Sequence, residues 1–306
     1  MSMLSLMGAL EIGLIFALVA LGVWISFRVL DFPDLTADGS FPLGGAVAAV
    51  LIVGGWNPWL ACGVAALAGA GAGLVTGWLN VRLNILQLLA SILTMIALYS
   101  INLRIMGRAN VPLLRTETLF TPLREAGLLG TFVSVAILAG LLALFVIALV
   151  WFLSTDVGLA LRATGDNEGM ARAQGINTDL MKCLGLSLSN GMVALSGALF
   201  AQYQGSADIG MGIGLIVAGL ASVIIGQALL PSRRFIFATL AVVVGSVVYR
   251  LVIQVALGLG FDPNDMKLIS AVLVILALLL PRLTVFRRMR ARSRQRRLEA
   301  AAVKEA

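Results

Sequence analysis

The sequence has no histidine and only 2 cysteines among its 306 residues. Cys62 and Cys183 both lie inside apolar stretches, where a free thiol packs as a small hydrophobic group. This scarcity argues against a disulfide framework, a zinc centre and a histidine-based catalytic triad. We therefore expect no catalytic residues and no metal site.

A phosphate-binding loop is missing as well. The pattern G-x-x-x-x-G-K-[ST] does not occur, and no hydrophilic stretch is long enough to form a nucleotide-binding domain. We therefore expect no ATP hydrolysis and no cofactor on this chain. If ATP drives its activity, ATP and Mg²⁺ must bind to a partner chain.

Charged residues are scarce, at 12%, whereas 60% of the residues are hydrophobic. A soluble domain is about half apolar and about a quarter charged. Most of this chain therefore has no contact with water. The mean hydropathy of +1.01 is typical of a protein that crosses a membrane several times.

Nine apolar segments are candidate membrane spans, because a span needs about 20 largely apolar residues. They lie at 6–30, 43–56, 58–79, 85–106, 131–153, 180–204, 213–230, 235–259 and 268–286, and the second and seventh are short. We predict an all-α, polytopic transmembrane bundle of about 8–10 spans. Its transmembrane domain covers residues 1–286, followed by a basic cytoplasmic tail over 287–306.

The net charge of +7 is concentrated near the end of the chain, in residues 282–304. Basic residues beside a span fix its orientation and contact anionic lipid, so we expect no nucleic acid. A cytoplasmic tail places 154–179 inside and the first residue outside. Arginines in and beside the external loop 107–130 oppose this bias, so either that loop has its own structure or one span is miscounted.

The cytoplasmic loop 154–179 is longer than a connection requires. Asp166 or Asn167 can cap a short helix, Glu168 suits its first turn, and Gly175 suits the position after its end. The loop is either a solvated linker or a docking helix for a soluble partner. The residues proposed for docking are Gly165, Asp166, Asn167, Glu168, Ala171, Arg172 and Gly175.

Two short spans are interrupted by glycine and proline, in Asp31–Gly45 and Ala207–Gly219. Aligning Asp38 with Asp208 brings several identical residues into register, which favours an inverted repeat around a translocation pathway. The aspartates either line that pathway or cap half-helices. The candidate pathway residues are Asp38, Gly39, Ser40, Phe41, Asp208 and Met211.

Smaller features leave alternatives open. The glycines in GAGAG, four apart, permit close helix packing, inside the bundle or at a subunit interface. Arg250 lies within a span, where a charge needs a partner. It either pairs with Glu11 or has a purely structural role, in which its side chain reaches a carbonyl group or the membrane surface. Met170 shares a helical spacing with two other methionines, which favours packing over binding.

The runs GLALRATGDNEGMARAQGIN and LGLSLSNGMVALSGALFAQYQG resemble the permease family of branched-chain amino acid and ribose/simple-sugar ABC importers. The block ALGVWISFRVLDFPDLTADGSFPLGGAVAA fits that family too. DLTADGSF resembles a little-characterised branch linked to aromatic amino acid uptake. The resemblance covers most of residues 11–282, although this chain lacks an extra N-terminal span of larger members.

This resemblance implies a coupling helix over Gly165–Gly175 that contacts a cytoplasmic ATPase dimer. It also implies a second permease subunit, with a homodimer preferred, an extracytoplasmic solute-binding protein, and a prokaryotic inner membrane. We expect alternating access, gated near 38–41 and 208–211. The alternative function is an ion-coupled secondary transporter, which would rely on intramembrane ionisable residues such as Glu11 and Arg250.

Overall fold

The computed structural model describes residues 3–114, 116–231, 235–260 and 268–276. Its long helices are α1 (Met3–Trp24), α3 (Pro58–Leu83), α4 (Gln87–Met106), α6 (Phe132–Leu153), α9 (Thr178–Gln204) and α11 (Phe235–Gly258). The shorter elements are α2 (Ala37–Val53), β1 (Asn110–Pro112), α5 (Thr121–Glu125), α7 (Asp156–Asp166), α8 (Glu168–Ala173), β2 (Ser206–Asp208) and α10 (Leu215–Leu229).

The predicted helical membrane bundle is confirmed. In the described part of the chain, 6 helices are long and apolar enough to cross a membrane, and α2 and α10 are shorter apolar helices. Of the ninth predicted span only residues 268–276 are described, and they are helical. The tail 287–306 lies outside the described residues.

Close packing of α3 on α9 explains the glycine repeat. A Cβ at Gly69 or Gly73 would collide with the α9 backbone, at Asn190 and Leu186 respectively, and one at Gly77 would lie 2.9 Å from the Cα of Cys183. Since only glycine lets the backbones approach this closely, the repeat serves packing inside the bundle.

The chain is irregular between α1 and α2. A π-helical turn, Ile25–Val29, ends α1, and Asp31 follows with a left-handed φ of 52°. The second span was predicted to begin at residue 43, but α2 begins at Ala37, so residues 38–41 form its first turns. Pro42 inside α2 suggested a later start, because proline cannot donate a helical hydrogen bond.

The loop 107–130, predicted to be external, has its own structure, which is the first of the two explanations offered for its arginines. Strand β1 pairs antiparallel with β2, with Val111 opposite Ala207, and α5 follows. The side chain of Arg124 donates to the carbonyl oxygen of Tyr203 at 3.4 Å. Arg115 lies outside the described residues.

Glu11 and Arg250 do not pair. Glu11 is fully buried and accepts hydrogen bonds from Tyr203 at 2.7 Å, from the Gly130 amide at 2.9 Å and from Ser134. Neutral donors on α9, α6 and the loop 107–130 therefore satisfy this carboxylate. The guanidinium of Arg250 instead lies over the ring of Phe16, 3.5 Å from its centroid.

Candidate functional site

The loop 154–179, predicted to be cytoplasmic, contains two helices rather than the single short one predicted. The first, α7, ends at Asp166, and α8 begins at Glu168. Asn167 lies between them in an extended conformation and caps α8, because its side chain accepts from the Met170 amide at 3.0 Å. Gly175 follows α8 with a φ of +86°. The cap, the first turn and the terminating glycine of α8 are thus confirmed.

Gly165 and Asp166 belong to α7, which corrects their predicted place in the short helix. A Cβ at Gly165 would collide with the carbonyl of Val29, so Gly165 packs α7 against the π-helical turn. Asp166 is exposed at the end of α7. Sequence reasoning missed α7 because its polar residues are typical of a loop, although Thr155 caps it through the Gly158 amide.

Ion pairs attach α8 to the start of α9. Lys182 lies 2.7 Å from Glu168, and Arg172 lies 3.1 Å from Glu168 and 3.0 Å from Asp179. The Lys182 side chain is only 14% exposed. Its hydrogen bond, followed by the attraction of the nearby cations, holds the pKa of Glu168 below its usual value. These charges therefore serve contacts within the chain.

The opposite face of α8 is exposed to solvent. Met170 is 62% exposed, whereas Ala171 is buried, so α8 presents one large apolar side chain to the solvent. Met181 and Met192 are buried, as their spacing predicted, but that prediction is wrong for Met170. The signal that could have identified it was its place three residues after the cap, as the third residue of a short helix.

The starts of the two short helices, α2 and α10, meet at a polar contact, which is called the half-helix junction below. Asp38, in the first turn of α2, accepts hydrogen bonds from the backbone amides of Gly214 at 3.2 Å and Ile216 at 2.8 Å. These amides belong to the start of α10, so Asp38 caps the partner half-helix. Its negative charge is favourable there, because a helix N-terminus carries positive partial charge.

Asp208 does not occupy the position equivalent to Asp38. It lies in β2, where its carboxylate accepts from the Gly210 amide at 2.8 Å and from Asn110 at 3.4 Å. The proposed alignment of the two aspartates is therefore wrong in register. Both carboxylates accept from backbone amides: Asp38 caps the distant start of α10, and Asp208 bonds the amide two residues further along its own strand end.

The other candidate pathway residues surround the junction. Ser40 donates to Asn190 at 2.7 Å, and the carbonyl of Gly39 accepts from Asn102 at 3.1 Å. Phe41 is fully buried. Met211 packs against the cluster that contains Phe41. The structure thus brings these four residues and Asp38 together and leaves Asp208 in the ribbon of β1 and β2.

Asn190 and Asp34 are central to this region and were not predicted. The Asn190 amide donates to Asp34 at 2.6 Å, and Asp34 accepts from the Thr36 amide at 2.9 Å. Asp34 and Asn190 are both fully buried. An acidic residue beside a proline and an asparagine within an apolar run were the available signals.

Comparisons with known proteins agree with this architecture. The model of the family described as branched-chain amino acid transport system, permease component, matches residues 5–279. A tyrosine transport system permease protein of Clostridioides difficile is 43% identical over 262 residues, which cover 86% of each chain. An uncharacterized protein of Rickettsia prowazekii is 35% identical over 278 residues, covering 89% of this chain and 96% of its own.

A more distant relative belongs to an import system. The autoinducer 2 import system permease protein of Salmonella typhimurium is 26% identical over 198 residues, covering 63% of this chain and 54% of its own. No solved structure matches the chain. The match of the family model over nearly all the described helices, together with their membrane-spanning character, shows that this multi-pass membrane protein belongs to the family of permease components of branched-chain amino acid transport systems.

Proposed function

We propose that this chain is the membrane-spanning permease subunit of an ATP-driven importer for an aromatic amino acid. The support for an aromatic substrate is the relative whose name assigns it to tyrosine transport. The support for an external energy source is a helix, α8, that projects from the membrane bundle and has the features of a docking element. The chain itself catalyses no covalent reaction in this proposal.

The observation that carries the proposal is the two-sided character of α8. One side is tied to α9 by the pair of Glu168 and Lys182, at 2.7 Å. The other side presents Met170, which is 62% exposed. A short helix with an exposed apolar side chain suits a groove on a soluble protein, and the ion pair would pass a displacement of that helix to α9.

The partners in the proposal are a cytoplasmic ATPase dimer, a second copy of this permease and an extracytoplasmic solute-binding protein in a prokaryotic inner membrane. ATP and Mg²⁺ would bind to the ATPase. Transport would follow alternating access, in which ATP-dependent motion of α8 changes the packing at the half-helix junction. Such coupling requires that the partner bind two permease conformations with different affinity.

Co-purification of the ATPase with the permease tests the docking assignment. Met170→Asp places a charge at the centre of the proposed contact, so we expect loss of the bound ATPase and of ATP-dependent tyrosine uptake in proteoliposomes. Leu114→Asp, at a 73% exposed apolar residue of the external loop, is the matched control and should retain the ATPase. Retention of the ATPase by Met170→Asp would contradict the assignment.

Energy coupling is tested separately. Uptake by the wild-type complex should require ATP and persist when the proton gradient is dissipated. Uptake that instead follows the ion gradient at constant ATP would favour the secondary transporter. That alternative relies on intramembrane charges, and the carboxylate of Glu11 is already satisfied by three neutral donors.

A further inference from the structure

Arg250 is a charged residue that the packing of the bundle does not explain. It lies in α11, one of the membrane-spanning helices, and its Nε atom is buried without a hydrogen-bond partner. The residue as a whole is partly exposed. An unpaired charge within a membrane-spanning helix is costly unless it is paired or hydrated. Such a residue is therefore a candidate for binding a ligand of opposite charge.

Two buried or half-buried acidic residues of the described bundle, Glu11 and Asp38, have other partners. Glu11 bonds to Tyr203, Ser134 and the Gly130 amide, and Asp38 bonds to the start of α10. All three ion pairs in the described part of the chain lie at α8 and α9. Within the described residues, Arg250 therefore has no ion pair, and its guanidinium lies over the face of an aromatic ring.

That ring connects Arg250 to the half-helix junction. Phe16 lies below the guanidinium, 3.5 Å from it, and its centroid is 5.4 Å from that of Phe41 and 5.1 Å from that of Phe200. Phe16 also shares an apolar cluster with Ile216, whose amide bonds to Asp38 at 2.8 Å. Arg250 is thus one aromatic ring away from residues of the predicted pathway.

The packing around Arg250 leaves its position well defined. A Cβ on Gly13 of α1 would lie 3.5 Å from the Cβ of Arg250, and the neighbouring Ser246 donates to the Gly13 carbonyl at 2.9 Å. Glycine at this point allows α11 to approach α1, so the arginine stem runs along α1 towards Phe16. The cation–π contact then fixes one face of the guanidinium and leaves the N–H donors at its edge unused.

The charges at the half-helix junction indicate that a partner of Arg250 should be negatively charged. Asp38 offsets the positive N-terminus of α10 through two amide hydrogen bonds. Arg250 remains as an uncompensated positive charge. Two donors at the edge of a guanidinium match the two oxygens of a carboxylate.

We propose that Arg250 binds the carboxylate of the transported amino acid in the translocation pathway, beside the aromatic cluster of Phe16, Phe41 and Phe200. This inference rests on the proposed function and adds the residue that recognises the substrate. The cluster suits an aromatic side chain, because ring pairs gain energy beyond the area they bury. A substrate that enters next to Phe16 would supply the charge that the guanidinium lacks.

The direct test is binding to the permease–ATPase complex in nanodiscs without the solute-binding protein. The probes are L-tyrosine and tyramine, which share the ring and the amine but differ in the carboxylate. Wild type should bind tyrosine about 10- to 100-fold more tightly than tyramine, since a hydrogen bond to a charged group contributes about 1.5–3 kcal/mol. Equal binding of the two probes by wild type would overturn the proposal without any variant.

Variants separate recognition from structure. Arg250→Gln should weaken tyrosine binding by a similar factor and abolish discrimination between the probes, and Arg250→Lys should restore part of it. Phe16→Leu keeps the charge but removes the ring face, so it should lower the Tm while retaining discrimination. Arg104→Gln, at an exposed arginine that ends α4, is the matched control.

A purely structural arginine predicts a different pattern. Arg250→Gln would then lower the Tm as Phe16→Leu does, and the ratio of tyrosine to tyramine affinity would not change. Uptake assays distinguish this failure from failure of the proposed function. If wild type shows no ATP-dependent tyrosine uptake, the proposed function is wrong. If uptake is normal and its KM is unchanged in Arg250→Gln, only the role of Arg250 is wrong.

Discussion

Breaking the ion pair between Glu168 and Lys182 should loosen α8 from α9. The two side chains are 2.7 Å apart, but Glu168 is 41% exposed and Lys182 14% exposed. A fully exposed pair contributes about 0.2–1 kcal/mol, and a charged hydrogen bond about 1.5–3 kcal/mol. We expect this half-buried pair to stabilise the attachment of α8 to α9 by about 1 kcal/mol. This free energy corresponds to about a fivefold change in the ratio of attached to detached α8.

A double-mutant cycle measures this value. Glu168→Gln and Lys182→Gln should each lower the Tm and raise the amount of ATP hydrolysed per tyrosine imported. The double variant should lose less than the sum of the two, because the contact between Glu168 and Lys182 can be lost only once. Asp179→Asn is the control, since Asp179 and Arg172 are both more than half exposed and their pair should contribute little.

The contribution of Glu168 should also depend on pH. Its pKa is lowered in the folded protein, first by the hydrogen bond from Lys182. The stabilisation is therefore complete above the ordinary pKa of glutamate, about 4.3, and is lost as the pH falls through the lower folded value. The Tm difference between wild type and Glu168→Gln should shrink over that range. Strictly additive effects of Glu168→Gln and Lys182→Gln in the double-mutant cycle, with no change in the ATP hydrolysed per tyrosine imported, would refute the proposed role of the ion pair.

Three further substitutions test the packing and the junction through the Tm. Gly73→Ala should destabilise the protein by about 1–3 kcal/mol, because the added Cβ would collide with the Leu186 backbone. The control Gly71→Ala should be tolerated, since a Cβ there has nothing within 4 Å. Equal effects of the two substitutions would contradict the packing of α3 on α9. Asp38→Asn should lose about 1 kcal/mol as α10 loses its charged cap, and an unchanged Tm would exclude that role. Asn190→Leu should cost about 1–3 kcal/mol, because buried polar partners remain unpaired; a stable variant would show that they find other partners.

The long helices were predictable because apolar runs of this length specify spans without tertiary information. The cap of α8 was predictable too, since Asn167, Glu168 and Gly175 each act through the local backbone. The start of α2 was not. The polar residues Asp38 and Ser40 suggested a loop, but they bond to α10 and α9, and no local pattern records those distant partners.

The same distinction applies to the candidate site. Glu168 was correctly placed in the first turn of a short helix, but its hydrogen bond to Lys182 depends on how α8 folds back on α9. Met170 was missed because its spacing matched two buried methionines. Periodicity identifies a face of a helix, but whether that face meets protein or solvent depends on the length and packing of the helix.

One helix connects the two parts of the candidate site. Near its start, α9 carries Lys182, which holds α8. Two turns further along, it carries Asn190, which bonds to Asp34 and Ser40 on either side of the start of α2. Asp38 lies between those two residues in sequence and caps α10. A shift of α9 relative to α2 must therefore either break these buried bonds or move the start of α2, and with it the cap of α10. Because unpaired buried polar groups are costly, the second response is favoured, and we expect a displacement of α8 to change the half-helix junction.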